Sequence, residues 1–246
     1  MGKLIILTGP SCVGKSPLDK AMARFYPKVR DQLQHLVLYN SRALRPGEED
    51  GIDYYFRERN HIEALRGHNR YVVMEVRGDL QALDIKELRE QLKHGDVFFE
   101  GNPFVGRVLQ THENLQQIDK LSAFMSPLSG DEIRELDAPD SQANLEKILT
   151  DIMRRKLLRR TRKQKGELSL KDLENIERRA SSAFRELKEA YHFHYVIPNH
   201  DGEDSENWDA FYYPVGDARK ALLAFIDLLK GNSSPYMERW EPNLIS

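Results

Sequence analysis

An α/β fold with a largely parallel sheet flanked by helices follows from three features of this 246-residue sequence. An apolar, β-branched run at residues 3–8 stops at Gly9-Pro10 and gives way to helical spacing from Leu18 to Phe25, the pattern of a buried strand feeding a helix. Strand-like and helix-like segments then alternate along the chain. A long charged helical region from Asp131 to Leu187 separates these from a late strand.

The first run, Leu4-Ile5-Ile6-Leu7-Thr8, is too short to cross a membrane or to serve as a secretory signal. Leu36 to Tyr39 is a second apolar stretch, followed by the turn pairs Pro46-Gly47 and Asp50-Gly51. Tyr71 to Val76 has strand character, Ile85 to Lys93 repeats apolar positions at helical spacing, and Val97 to Glu100 and Leu121 to Met125 are further buried strands. Tyr195-Val196-Ile197 resumes the sheet, Ala218 to Leu229 forms an amphipathic closing helix, and His200 to Gly216 is an acidic, aromatic surface loop. The expected organisation is one domain over 1–230, with core segments 1–35, 95–130 and 190–230, an acceptor-binding segment 36–94, a lid region 131–188, and a loosely held tail 231–246.

Composition narrows the function. A formal net charge of -2 with 31% charged residues fits a soluble chain and argues against general nucleic-acid binding. One cysteine, Cys12, allows no disulfide within the chain, and the cytoplasm is the expected compartment. The basic run beginning at Arg154 lacks interleaved aromatics and reads as a solvated helix face, not an RNA site. Arg77-Gly78-Asp79 is a chance triplet, and His192 and His194 lack partners at metal-site spacing. Neither a membrane nor a nucleic-acid partner is expected, and no oligomeric state is selected.

Gly9-Pro10-Ser11-Cys12-Val13-Gly14-Lys15-Ser16 matches the pattern of glycine, four residues, glycine, lysine and a hydroxyl residue, with a strand before it and a helix after it. In a P-loop NTPase-type sheet such a loop turns backbone N–H groups and a helix N-terminus toward phosphate oxygens. Lys15 would neutralise the β- and γ-phosphates of ATP, and Ser16 would ligate Mg²⁺. Cys12 stands where glycine is common. Pro17 has no N–H to offer the α-phosphate, a loss of about 1.5–3 kcal/mol for a hydrogen bond to a charged group.

About 25 residues later, Ser41-Arg42-Ala43-Leu44-Arg45-Pro46-Gly47-Glu48 leads into Asp50-Gly51-Ile52-Asp53-Tyr54-Tyr55-Phe56. Two arginines three positions apart beside a tyrosine suit a phosphate clamp, because guanidinium forks bind phosphate oxygens bidentately. Together with the P-loop, this stretch resembles the guanylate kinase family, and the resemblance runs from residue 3 to about 230.

The resemblance implies ATP-dependent phosphoryl transfer to a nucleoside monophosphate, GMP first, with ATP and Mg²⁺ as cofactors. It places Ser41, Arg42, Arg45 and Tyr54 at the acceptor phosphate and Glu75 at a guanine edge. Glu100 and Asn102 take the positions of the family's two acids at a strand end, also on the acceptor side. Arg179 and Arg160, or Arg162 in place of Arg160, supply positive charge during transfer, and Asn199 lies near the adenine. The departures cluster on base recognition, since Arg77 to Asp84 lacks the family's Tyr-Tyr-Gly-Thr, and the lid and the loop after Asn199 are enlarged. Two alternatives stay open: a kinase for another phosphorylated acceptor, such as a different nucleotide or a ribose phosphate, and a non-catalytic binding module of the same family.

Overall fold

A computed structural model describes residues 1–45, 47–138 and 143–245. Pro46, half of the expected Pro46-Gly47 turn, and residues 139–142 of the expected lid lie outside the described residues.

The strand β1 (Leu4–Thr8) is buried at every position and leads through the glycine-rich loop into α1 (Lys15–Phe25) and the short α2 (Pro27–Arg30). Next come β2 (Leu33–His35), β3 (Leu38–Asn40), β4 (Tyr54–Phe56) and α3 (Arg59–Ala64). The hairpin β5 (Tyr71–Val76) and β6 (Asp79–Asp84) precedes α4 (Ile85–His94), β7 (Asp96–Gly101), α5 (Pro103–Thr111) and β8 (Lys120–Ser126). The helices α6 (Gly130–Leu136), α7 (Leu145–Lys165) and α8 (Leu170–Leu187) occupy the long charged region, and β9 (Tyr195–Pro198) and α9 (Gly216–Leu229) follow.

Five strands form a sheet in the order β2-β7-β1-β8-β9, in which β2 pairs parallel with β7 and β8 parallel with β9. A second sheet runs β4-β3-β6-β5, with a parallel β3–β4 pair and antiparallel partners elsewhere. The expected α/β class, with a parallel sheet flanked by helices, is the architecture found.

Two compact units divide the chain. The first comprises Met1–Ile6, Gln32–Phe99 and Phe104–Leu121; the second comprises Leu7–Asp31, Glu100–Pro103 and everything from Ser122. In the first unit Ile62, Leu80 and Ala82 form a small core, closed by Tyr39, Leu65 and Val73. Asp84 starts α4 by accepting from the N–H groups of Lys86 and Glu87, and Arg70 pairs with the same carboxylate at 2.5 Å.

The β5–β6 hairpin corrects the sequence-based account, in which residues 77–84 were only a departure from a motif. Arg77 (φ 54°) and Gly78 (φ 87°) both take positive φ, the conformation of a two-residue hairpin turn, and Val76 pairs with Asp79 across it. Residues 79–84 then fill a strand position instead of a loop.

In the second unit, capping boxes at Ser129/Glu132 and Ser169/Asp172 start α6 and α8. The segment after residue 231, expected to be loosely held, is tied down instead. Val196 and Glu238 exchange backbone hydrogen bonds at 2.8 Å, and Trp240 is only 8% exposed with its Nε1 donating to Glu238 Oε2. Among the described residues no helix is long and apolar enough to cross a membrane.

Candidate active site

The glycine-rich loop lies in the second unit, and no side chain caps the N-terminus of α1, leaving its first-turn N–H groups and helix dipole for an anion. Lys15 is buried and reaches back across the loop, donating from Nζ to the carbonyls of Gly9 (2.9 Å) and Pro10 (3.0 Å). Ser16 Oγ donates to Glu100 Oε1 at 3.1 Å. The sequence put Glu100 on the acceptor side; its carboxylate is found beside the loop's hydroxyl. Burial pushes the Glu100 carboxyl up to about 7, with Lys15 pulling it down and Glu203 adding to the rise.

Arg179, from α8, donates from Nε to Ser11 Oγ at 3.1 Å, so this predicted catalytic arginine does reach the loop. Asn102 donates to Glu186 Oε1, which also accepts from Ser182 Oγ. Asn102 is therefore linked to the same helix that carries Arg179. The predicted lid arginine Arg160 lies on α7 and pairs with Glu203 Oε2 at 3.2 Å.

Cys12 adopts φ 70°, the left-handed conformation that glycine ordinarily supplies, at a cost of about 1–2 kcal/mol for a side-chain-bearing residue. Its thiol is buried, and burial first, then the Glu203 charge, push it up to about 12. That thiol is a packing group, not a nucleophile.

Asn199 was expected beside adenine. It is fully buried and its amide is engaged within the protein: Nδ2 donates to the carbonyls of Val13 (2.7 Å) and Asp201 (2.6 Å), and Oδ1 accepts from Asp201 N–H. It braces the loop from beneath. Gly14, at φ 105°, permits this approach, because a Cβ there would fall 2.5 Å from Asn199 Nδ2 and 2.8 Å from the Asp201 carbonyl.

The segment 200–216, read from sequence as a surface loop, is built onto the glycine-rich loop. Asp201 accepts from Ser205, Asn207 and the Ala218 N–H, and its carbonyl accepts from Trp208 Nε1. Trp208 is 7% exposed, and a Cβ on Gly202 would lie 2.2 Å from the Cys12 carbonyl. None of these brace residues carries a motif; the one sequence signal was a tryptophan inside an acidic loop.

In the first unit, Arg42 makes two bonds of 2.6 Å to Glu48, and its guanidinium stacks 5.1 Å from the Tyr54 ring centre and 5.2 Å from that of Phe56. Glu48 also accepts from the Arg45 N–H, so the two arginines of the predicted clamp share one carboxylate. Burial raises the Glu48 carboxyl, but the Arg42 and Arg45 hydrogen bonds outweigh it and hold it below its ordinary value. Asn40 accepts from the Arg42 N–H. Ser41 Oγ accepts from the Leu80 N–H, stitching β3 to β6. Glu75 lies opposite Leu80 on β5 and lines a cleft of about 380 Å³ with Arg66, Tyr71, Met74, Phe104 and His112.

A family model described as guanylate kinase matches residues 1–153, which include the glycine-rich loop, the arginine clamp and β7. The chain belongs to the guanylate kinase family. It is 33% identical over 136 residues to a guanylate kinase of Streptococcus pneumoniae R6, an alignment covering 54% of this chain and 62% of the relative. The chain thus spans about three fifths of the length of that relative. Longer alignments reach guanylate kinases of Synechococcus sp. JA-3-3Ab (29% identity, 87% of this chain and 83% of the relative) and Mycoplasma pneumoniae (25%, 81% and 70%). The crystal structure of guanylate kinase from Anaplasma phagocytophilum superposes with a TM-score of 0.52 at 18% identity, covering 94% of this chain and 85% of that one, which shows a shared fold.

Sequence reasoning singled out the glycine-rich loop, Arg179, Arg42 and Tyr54, and the structure brings Arg179 to the loop and Arg42 against the Tyr54 ring. Glu48 was quoted only as part of a motif, and its carboxylate is the group that sets the Arg42 guanidinium. Glu203 and Asp201 had no motif to mark them.

Proposed function

We propose that this protein transfers the terminal phosphate of ATP to a nucleoside monophosphate, with GMP the first acceptor expected. The observation that carries this reading is the set Lys15, Ser16 and Glu100 around one glycine-rich loop, with Arg179 reaching the same loop. A module retained only for binding has no need of that chemistry. Phosphoryl transfer is mainly positioning and charge neutralisation, and these side chains supply both.

The site's donors suit Mg²⁺. Ser16 and Glu100 offer hard oxygens, and Glu100 is a partly buried carboxyl, raised by desolvation, whose charged form a divalent cation would favour. A bound ion would take the rest of its ligands from phosphate and water. When bound, Mg²⁺ neutralises charge on the phosphates. Lys15 leaves its two carbonyl partners for phosphate oxygens, and Arg179 and Arg160 offset the charge that develops during transfer. In the first unit, Arg42, preset by Glu48 and Tyr54, serves the acceptor phosphate, and Glu75 with its cleft serves the acceptor base.

A second reading, transfer to a different phosphorylated acceptor, is favoured by one observation: the segment where the family has Tyr-Tyr-Gly-Thr forms β6, in which Gln81 and Leu83 are buried. Coupled ADP release measured across GMP, dGMP, AMP, CMP, UMP and ribose phosphates decides between them. GMP turnover well above the others is the expected result. Preference for another acceptor selects the second reading, and nucleotide binding without any turnover removes the kinase assignment.

A further inference from the structure

The segment after Asn199 places two acidic side chains against the basic face of α7, and they are held differently. Asp204 is 5% exposed and takes Arg159 through Nε (2.8 Å) and NH2 (2.7 Å), with Lys156 Nζ at 3.8 Å; Lys156 also donates to the His200 carbonyl. Asp204 is an anchor. Glu203 accepts from Arg160 NH1 at 3.2 Å, while among the described residues Arg160 Nε is buried with no hydrogen-bond partner. A guanidinium has five donors in a planar fork, so one long contact leaves Arg160 poorly satisfied. A phosphate group, with several oxygens and more charge, would satisfy it better.

The Glu203 carboxylate also stands close to the phosphate cradle itself. Its charge acts on Cys12 within the loop and on Glu100 beside Ser16, and the adjacent Gly202 rests on the Cys12 carbonyl. An anion in that place opposes the entry of another anion while keeping a buried cation from standing alone.

We infer that Glu203 is a resident stand-in for nucleotide phosphate: in the empty protein it holds Arg160 beside the P-loop, and a bound polyphosphate takes Arg160 from it. This rests on the reading of the loop as a nucleotide site, and it makes Glu203 a positioning residue that acts through Arg160. Asp204 keeps α7 joined to the loop while the exchange occurs.

The test uses the full chain and two readouts. Titration calorimetry with Mg²⁺ and either ADP or inorganic pyrophosphate is compared for wild type, Glu203→Gln and the double variant Glu203→Gln/Arg160→Gln. Labelling of the single thiol, Cys12, by an aromatic disulfide reports whether the cover over the loop is held. Glu203→Gln should bind both anions about fivefold more tightly, the scale of a partly screened ion pair, and the double variant should lose that gain. Cys12 labelling should quicken in Glu203→Gln, because the carboxylate that raises the thiol pKa and helps to cover it has gone. Faster labelling with weaker anion binding would make Glu203 a packing strut and overturn the inference, as would unchanged anion affinity. Separate failures remain distinguishable. Tighter pyrophosphate binding without ADP-releasing turnover upholds the exchange and removes the kinase reading, whereas normal turnover with no gain in Glu203→Gln does the reverse. If no phosphate compound binds any of the proteins, both fail.

Discussion

Arg42, proposed to serve the acceptor phosphate, is already held in one place by the protein itself. Its guanidinium is fixed by two bonds to Glu48 and by the faces of Tyr54 and Phe56, so its entropy is already spent. Glu48→Gln keeps the shape and loses the charge and one acceptor. The acceptor KM should rise about tenfold with the ATP KM nearly unchanged, since the loss is confined to one substrate. Steady-state kinetics with each substrate varied in turn checks this; equal effects on both would remove Glu48 from the acceptor side. Pro17 offers a second residue-scale test, because it sits in the first turn of α1 and has no N–H. Pro17→Thr restores that donor and should tighten ADP and ATP alike by about tenfold or more, the scale of a hydrogen bond to a charged group. Calorimetry with Mg²⁺ and ADP reads it directly, and no gain would mean that another donor already serves the α-phosphate. At this scale the motif residues were legible in the sequence because their chemistry demands particular atoms at fixed spacing. Asn199 was only half legible: the sequence put it near the nucleotide, but its amide is consumed in bracing Val13. A side chain's last hydrogen bond depends on residues distant in sequence, and no local pattern reports that.

Elements were read well where periodicity was long. The helices from Lys15, Ile85 and Gly216 and the strands at β1, β5, β7, β8 and β9 follow apolar patterning that burial imposes, whereas the region read as one charged helical stretch over 131–187 divides into α6, α7 and α8. β6 escaped because its turn is Arg77-Gly78, not an Asn-Gly or Asp-Gly pair, and β2 escaped because three residues carry no period. The segment 200–216 escaped for a different reason: its order comes from Asp201 and Trp208 and not from any repeat. That segment also contains a pH-sensitive tie between elements. His200 bonds Asp217 of α9 at 2.5 Å and Glu132 of α6 at 2.9 Å, and Lys220 shares Asp217. Burial lowers the His200 pKa, but the Asp217 bond and the Glu132 charge outweigh it, so the net shift is upward from 6.5. A raised imidazole pKa contributes stability that is complete below pH 6.5 and is lost as pH rises through the folded-state value. Wild type should therefore lose thermal stability relative to His200→Gln between about pH 6 and 8, with a small amplitude because the ring is half exposed. Melting temperatures of both proteins across that range provide the check. Parallel curves would show that the His200 imidazole has the same pKa in the folded and unfolded states.

At the scale of the whole molecule, the family match and the two compact units follow from a sequence whose most specific segments lie in its first half. The match covers residues 1–153, whereas Arg160, Arg179 and the 200–216 brace lie beyond it. The later part of the chain is held by contacts of its own, including the Val196–Glu238 pairing and buried Trp240, which composition alone made look like a loose tail. On the proposed function, the glycine-rich loop takes part in phosphoryl transfer and does more than bind. GMP-dependent ADP release by the wild-type chain, set against Lys15→Ala, tests it most directly. Lys15 donates to loop carbonyls and not to the apolar core, so its loss should leave the circular dichroism spectrum and melting temperature nearly unchanged while turnover falls by about a thousandfold. Turnover equal to wild type in a folded Lys15→Ala protein, or none in the wild type with any nucleoside monophosphate, would contradict it.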